Sequence, residues 1–157
     1  MHDVLENSPV TDSEIVYRRV PDMGNVHCMV VEEGDDGAAR RRPSSANFKV
    51  KRDEDGLSVY RHDVLAQRGL DARALLKKPL SGVVSLSASV IRGENLDVVP
   101  DPWPKETDDP EHPRNAAHAL VTGLESLSRN EAKSKAVTLA KRAIVVIDPT
   151  GATDHPG

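Results

Sequence analysis

Three consecutive arginines, Arg40, Arg41 and Arg42, followed after Pro43 by Ser44 and Ser45, are the residues of this chain best suited to chemistry. A guanidinium is a planar fork of donors that matches a carboxylate or a phosphate with two hydrogen bonds. Serine hydroxyls and backbone amides just beyond a proline would complete a concave nest for an anion. Across residues 40–62 the cations Arg40, Arg41, Arg42, Lys49, Lys51, Arg52 and Arg61 face only Asp53, Glu54 and Asp55, a local 7 − 3 = +4 in a chain of net charge −4. Positive charge is gathered here. If this stretch, read as a loop, folds against an earlier strand, Arg18 and Arg19 join it. The expected ligand-binding set is therefore Arg18, Arg19, Arg40, Arg41, Arg42, Ser44, Ser45 and Tyr60, facing a phosphate-bearing ligand or an acidic protein partner. A plainer reading leaves Arg40 and Arg41 solvated and pairs Arg42 with a carboxylate of its own loop.

A catalytic alternative uses some of the same residues. Enzymes that consume NAD to transfer ADP-ribose place an Arg or His on an early strand, a Ser or Tyr on a middle one and a Glu on a late one. Arg18, Ser44 or Ser45, Tyr60 and Glu125 fall in that order. Arginine would hold the pyrophosphate while the glutamate stabilises a developing oxocarbenium-like charge. Glu125 also suits a helix N-terminus, where the dipole favours an acid. A third reading starts from Arg129, Lys133, Lys135, Lys141 and Arg142 against Glu131, a balance of 5 − 1 = +4 on one helical stretch. Lys133, Lys135, Lys141 and Arg142 would then follow a nucleic-acid backbone.

Other constellations are weaker. His112 and His118, with Asp108, Asp109 and Glu111, are nominal metal ligands. Pro110 and Pro113 break the helix that a compact His pair would need, so no metal site is expected. Ser85, Ser87 and Ser89 alternate along a strand and fill a sheet face, with neither Gly-x-Ser-x-Gly nor Ser-x-x-Lys around them. No glycine-rich phosphate loop occurs, and no cofactor is expected. Cys28 stands alone, which rules out an internal disulfide and a cysteine-based zinc cage and reads as a small buried hydrophobe. Trp103, between Pro102 and Pro104, would plug the core or dock on a partner.

The elements that must position these residues come from 157 residues with 38% hydrophobic, 29% charged and 3% aromatic content. That suits a single domain with a modest aliphatic core, and too few rings to stack single-stranded nucleic acid. No signal-peptide pattern opens the chain, and the longest apolar run, 82–91, is about half of what spans a bilayer. A cytoplasmic protein without membrane contact is expected. Alternation predicts strands over 14–20 and 25–32 joined as a hairpin, then a second hairpin from 47–52 and 57–60 around the acidic turn 53–56. Helices capped by Asp63 and Asp71 follow, then a central strand over 82–91 and an extended Val98–Pro104. A strand over 116–123, a helix opened by the capping box Ser128/Glu131 and a strand over 143–147 complete the pattern. Residues 1–13 and 149–157 are expected to be flexible around an α+β domain at 14–148. Its sheet is expected to be mixed, of about five or six strands, with helices on one side.

Val16-Tyr17-Arg18-Arg19-Val20-Pro21, Arg42-Pro43-Ser44-Ser45-Ala46-Asn47-Phe48 and Gly56-Leu57-Ser58-Val59-Tyr60 recur in combination with Val98-Val99-Pro100-Asp101-Pro102 and Ala117-His118-Ala119. The combination resembles a family of small uncharacterised bacterial proteins over most of residues 15–147. The acidic stretch 32–36 is longer than that pattern leads one to expect. The resemblance implies no activity, so it transfers no site residues. The reading that emerges is a non-enzymatic binding or accessory module that captures an anionic ligand or acidic partner through the Arg/Ser loop.

Overall fold

Val83, Val84 and Leu86 put apolar side chains on both faces of residues 82–87, and such a strand is stable only when covered on both faces. The computed structural model of the chain describes residues 4–23, 27–33, 37–50, 55–76, 81–102 and 113–148, and in it this run is the strand β5, Gly82–Ser87. It lies in a six-stranded sheet with β1 (Ile15–Val20), β4 (Leu57–Arg61), β6 (Asp97–Pro100), β7 (His118–Thr122) and β8 (Ile144–Ile147), in the order β6-β7-β4-β1-β5-β8. A separate hairpin joins β2 (Met29–Glu33) to β3 (Ala39–Pro43). The helices are α1 (Val4–Asn7), α2 (His62–Gln67), α3 (Ala88–Gly93) and α4 (Arg129–Arg142). This is an α+β domain with the expected number of strands. All its pairings are antiparallel, where a mixed sheet was expected.

Strand alternation sorts the core into two layers. Val16, Val20, Leu57, Val59, Val84, Leu86, Ala119 and Val121 meet Phe48, Ile91 of α3, and Ala136, Leu139 and Ala140 of α4. On the opposite face, Tyr60 and Val83 meet Val64 and Leu65 of α2 and Leu75 of a short 3-10 turn at Ala72–Leu75. Helical elements therefore cover both faces, where one was expected. Ser128 caps α4 as expected, its side chain accepting from Glu131 N, while Glu131 Oε1 accepts from Ser128 Oγ at 2.9 Å where a return bond from the Ser128 amide was expected.

Several local expectations give way to tertiary pairing. β1 does not form a hairpin with β2; it pairs with β4 and β5 in the middle of the sheet. The stretch around Phe48, expected as a strand, is a 3-10 turn at Ser45–Phe48 whose Asn47 and Phe48 are buried. The run 82–91 divides at Ser87, whose side chain accepts from Val90 N and starts α3. β4 begins just after Gly56, where a Cβ would collide with the Val121 carbonyl of β7, so only glycine admits that approach. Among the described residues no helix is long and apolar enough to cross a membrane.

Within the first segment, Leu5, Ser8 and Asp12 are tied to the rest of the domain by arginine side chains. Arg61, 1% exposed, donates through Nε to Glu14 Oε2 at 2.8 Å and through Nη2 to Glu14 Oε1 at 2.9 Å. Its Nη1 donates to the carbonyls of Leu5 at 3.1 Å and Ser8 at 2.8 Å. Arg92 adds a second tie through Asp12, at 2.7 Å. A buried guanidinium is tolerated only when a carboxylate neutralises it and acceptors fill its remaining donors, and both conditions hold here. Replacing Arg61→Ala strands the Glu14 carboxylate and the carbonyls of the first segment, and is expected to cost about 3–5 kcal/mol in urea unfolding. Limited proteolysis should then cut within residues 5–13. A loss below about 1 kcal/mol with no new cleavage would show that the clamp is ornamental.

Candidate functional site

β2 and β3 run antiparallel with Val30 opposite Arg42, Val31 opposite Arg41 and Glu32 opposite Arg40. The three arginines thus lie on a strand, where a loop was expected, and alternation points Arg41 away from Arg40 and Arg42. Each has an acceptor within the chain. Arg42 Nε sits 2.9 Å from Glu32 Oε2, though its N–H is poorly aligned for a hydrogen bond, and Nη1 donates to the Pro43 carbonyl at 3.1 Å. Arg41 Nε is 3.3 Å from Asp148 Oδ2, and its Nη2 donates to the Met23 carbonyl at 2.5 Å. Arg40, exposed, reaches the Lys141 carbonyl in the last turn of α4 at 3.4 Å.

The serines do not build an anion nest with them. Ser44 Oγ donates to the His27 carbonyl at 2.5 Å and Ser44 N donates to the Cys28 carbonyl at 2.8 Å, while Ser45 opens the 3-10 turn. Asn47 Nδ2 closes the same turn on the Cys28 carbonyl at 2.8 Å. The serine-bearing bend is a structural corner.

Arg18 and Arg19 lie apart from the hairpin and from each other. Arg18 Nε donates to the Asn47 carbonyl at 2.6 Å and its Nη1 to the Ser58 carbonyl at 2.7 Å, beyond the two residue pairs that join β1 to β4. Arg19, on the other face, donates to the Leu75 carbonyl at 2.6 Å and to the Tyr60 hydroxyl at 3.3 Å, with its guanidinium carbon 5.3 Å from the Tyr60 ring centre. Glu125 Oε1 accepts from Gly123 N at 2.8 Å, next to its own short turn. Arg18 and Tyr60 thus lie on opposite faces of adjacent strands, and the hydrogen bonds of Ser44 and Glu125 run to main-chain groups away from both. Of the expected set, the fold keeps Arg40, Arg41 and Arg42 together and sends Arg18, Arg19 and Tyr60 elsewhere. Trp103, His112, Asp108, Asp109 and Glu111 lie outside the described residues.

Tertiary structure adds Lys141 to the arginines. Glu32 is half-buried, and its carboxyl is held below its ordinary value. The Arg42 guanidinium against it is the largest cause, and the charges of Arg40 and Lys141 add to it. Arg40 and Arg42 of β3 and Lys141 at the C-terminal end of α4 thus share one basic surface against Glu32, or 3 − 1 = +2. Two basic segments read separately from sequence meet here.

Sequence reasoning missed a second cluster. His118 of β7, 1% exposed, stands opposite Tyr60 of β4 and meets its ring edge-on at 5.6 Å between centroids. Its Nε2 is 3.0 Å from Ser58 Oγ, and its Nδ1 is 2.8 Å from the Asp101 carbonyl and 3.2 Å from Asp101 Oδ2. Separations of 60 and 17 residues match no local motif, so only the strand order makes these three neighbours. Comparisons of the chain with protein-family models, with curated proteins and with solved structures give no match.

The lowered Glu32 carboxyl ties the hairpin to pH. A folded-state value below the unfolded one adds stability above the ordinary carboxylate range, and that stability is lost as pH falls through the lowered value. Arg42→Gln removes the largest cause, so Glu32 should titrate closer to its ordinary value in side-chain carboxyl NMR. A Glu32 titration left unmoved by Arg42→Gln would refute the pairing.

Proposed function

We propose that this protein is a binding or accessory module that captures an acidic partner segment on the surface shared by β3 and the end of α4. The observation that carries this reading is the half-buried Glu32 carboxylate, 2.9 Å from Arg42 Nε, opposite Arg40 in the ladder and within the field of Lys141. A surface on which one acid answers three cations attracts negative charge over about a Debye length, roughly 8–10 Å at moderate salt. The arginine donors already meet internal acceptors, which suits a diffuse field acting on an extended acidic chain better than a fork-like cradle for one phosphate. An extended acidic peptide is the complementary ligand.

The nucleic-acid reading shares Lys141 and Arg142, which are exposed at the same helix end, and extends along α4 to Lys133 and Lys135. The NAD-consuming reading has less support, because its four residues lie at separate places in the fold.

Fluorescence anisotropy of a fluorescein-labelled polyglutamate peptide is the direct test. Binding should weaken steeply as salt rises, and Arg40→Glu combined with Lys141→Glu should weaken it about tenfold or more with little change in melting temperature. Binding that ignores both salt and the substitutions overturns the proposal. Tighter binding of a DNA duplex, lost when Lys133 and Lys135 are neutralised, would replace it with the nucleic-acid reading.

A further inference from the structure

Away from the basic hairpin, on the other side of the sheet's middle strands, Asp101, His118 and Ser58 form a continuous relay. Asp101 presents two acceptors to His118 Nδ1, its main-chain carbonyl at 2.8 Å and carboxylate Oδ2 at 3.2 Å. Neither oxygen can donate while the carboxylate is ionised, so the proton of the neutral ring must lie on Nδ1. The Nε2 lone pair then faces Ser58 Oγ at 3.0 Å, and the serine hydroxyl is the donor. Backbone pairing fixes this tautomer, because Asp101 N donates to the His118 carbonyl at 3.0 Å and holds the two residues side by side. His118 is 1% exposed and cannot swing away, whereas Ser58 retains partial exposure. A nucleophile, a base within hydrogen-bond reach and an acceptor that orients the base are the three parts of an activated serine.

We propose that Ser58 is an activated nucleophile toward short acyl esters, with His118 as its base and Asp101 as a positioning residue. Ser58 Oγ bonds to the ester carbonyl carbon as its proton passes to His118 Nε2. The bond from that carbon to the leaving oxygen then breaks, and His118 returns the proton to the departing alcohol. Water attacks the acyl-serine, gives a proton to His118, and releases the carboxylic acid as the proton returns to Ser58. No oxidant, reductant or metal is needed for the balance. Substrate size follows from the same face: Leu120 stands directly opposite Ser58, Val99 stands opposite Leu120, and both are half-buried aliphatic residues outside the two packed cores. They offer contact to a short apolar acyl group.

A fluorophosphonate probe reads the first step, since the serine oxygen displaces fluoride from phosphorus and the adduct is located by mass spectrometry. Wild-type protein should be labelled at Ser58, with no adduct at that peptide in Ser58→Ala and about a hundredfold slower labelling in His118→Gln. Ser58→Cys, which keeps the geometry, should be alkylated by iodoacetamide at residue 58 several-fold faster than the same variant carrying His118→Gln. With p-nitrophenyl acetate, Asp101→Asn should lower kcat and leave KM unchanged, a split that a purely structural contact would not produce. If folded wild-type protein takes no label at Ser58, or if the thiol introduced by Ser58→Cys reacts equally with and without His118, the relay is structural and the proposal falls. The polyglutamate test reads a different face, so either result stands without the other.

Discussion

The buried pairing of Arg61 with Glu14 is the constraint from which the rest of the architecture follows. Arg61 is the last residue of a central strand, and its guanidinium is out of water. Desolvating such a charge costs several kcal/mol, so the chain must bring a carboxylate and several carbonyls to it or not fold this way. The carboxylate comes from Glu14, the residue just before β1, and the carbonyls come from residues 5 and 8. One side chain therefore fixes where the first segment lies, how β1 enters the sheet and which face of β4 is closed.

β1 then distributes charge to both layers. Two adjacent arginines cannot share a side of a strand, so Arg18 and Arg19 diverge. Arg18 supplies donors to the Ser58 and Asn47 carbonyls where the ladder between β1 and β4 runs out. Arg19 bonds the 3-10 turn at Leu75 and lies over Tyr60. In each case the arginine substitutes for backbone hydrogen bonding that the sheet does not provide. These residues belong to the scaffold, although from sequence they look like ligand-binding groups.

The hairpin and the relay show two different uses of polar side chains. On β3 the arginines meet acceptors of the same chain, which fastens the hairpin to β8 and to α4 while leaving a positive surface. Around His118 the polar atoms form a directed line, each oriented by the last, through a buried imidazole. Charge at a surface acts over distance and tolerates loose geometry. A buried relay acts over one hydrogen bond and depends on strand register.

What could be read from residues alone was the set of local decisions. The capping box at Ser128 and Glu131, the alternation of β1 and the apolar run of β5 depend on neighbours three or fewer positions away. They form because nothing elsewhere in the fold opposes them. The α+β class and the strand count follow from adding such segments. The apolar run at 82–91 was legible as buried, but the cap at Ser87 that turns its second half into α3 competes with strand propensity and wins through the packing of Ala88 and Ile91. Which strands pair could not be read, since β1 joins partners more than forty residues away on either side of the sheet. The candidate sites divide in the same way. The concentration of arginine and the pairing of Arg42 with a nearby carboxylate were within reach of the sequence, but the pairing of Arg41 with the distant Asp148 was not. The alignment of Ser58, His118 and Asp101 was decided only when β6, β7 and β4 came to lie side by side, because a hydrogen bond of three ångströms depends on register between strands and not on spacing along the chain.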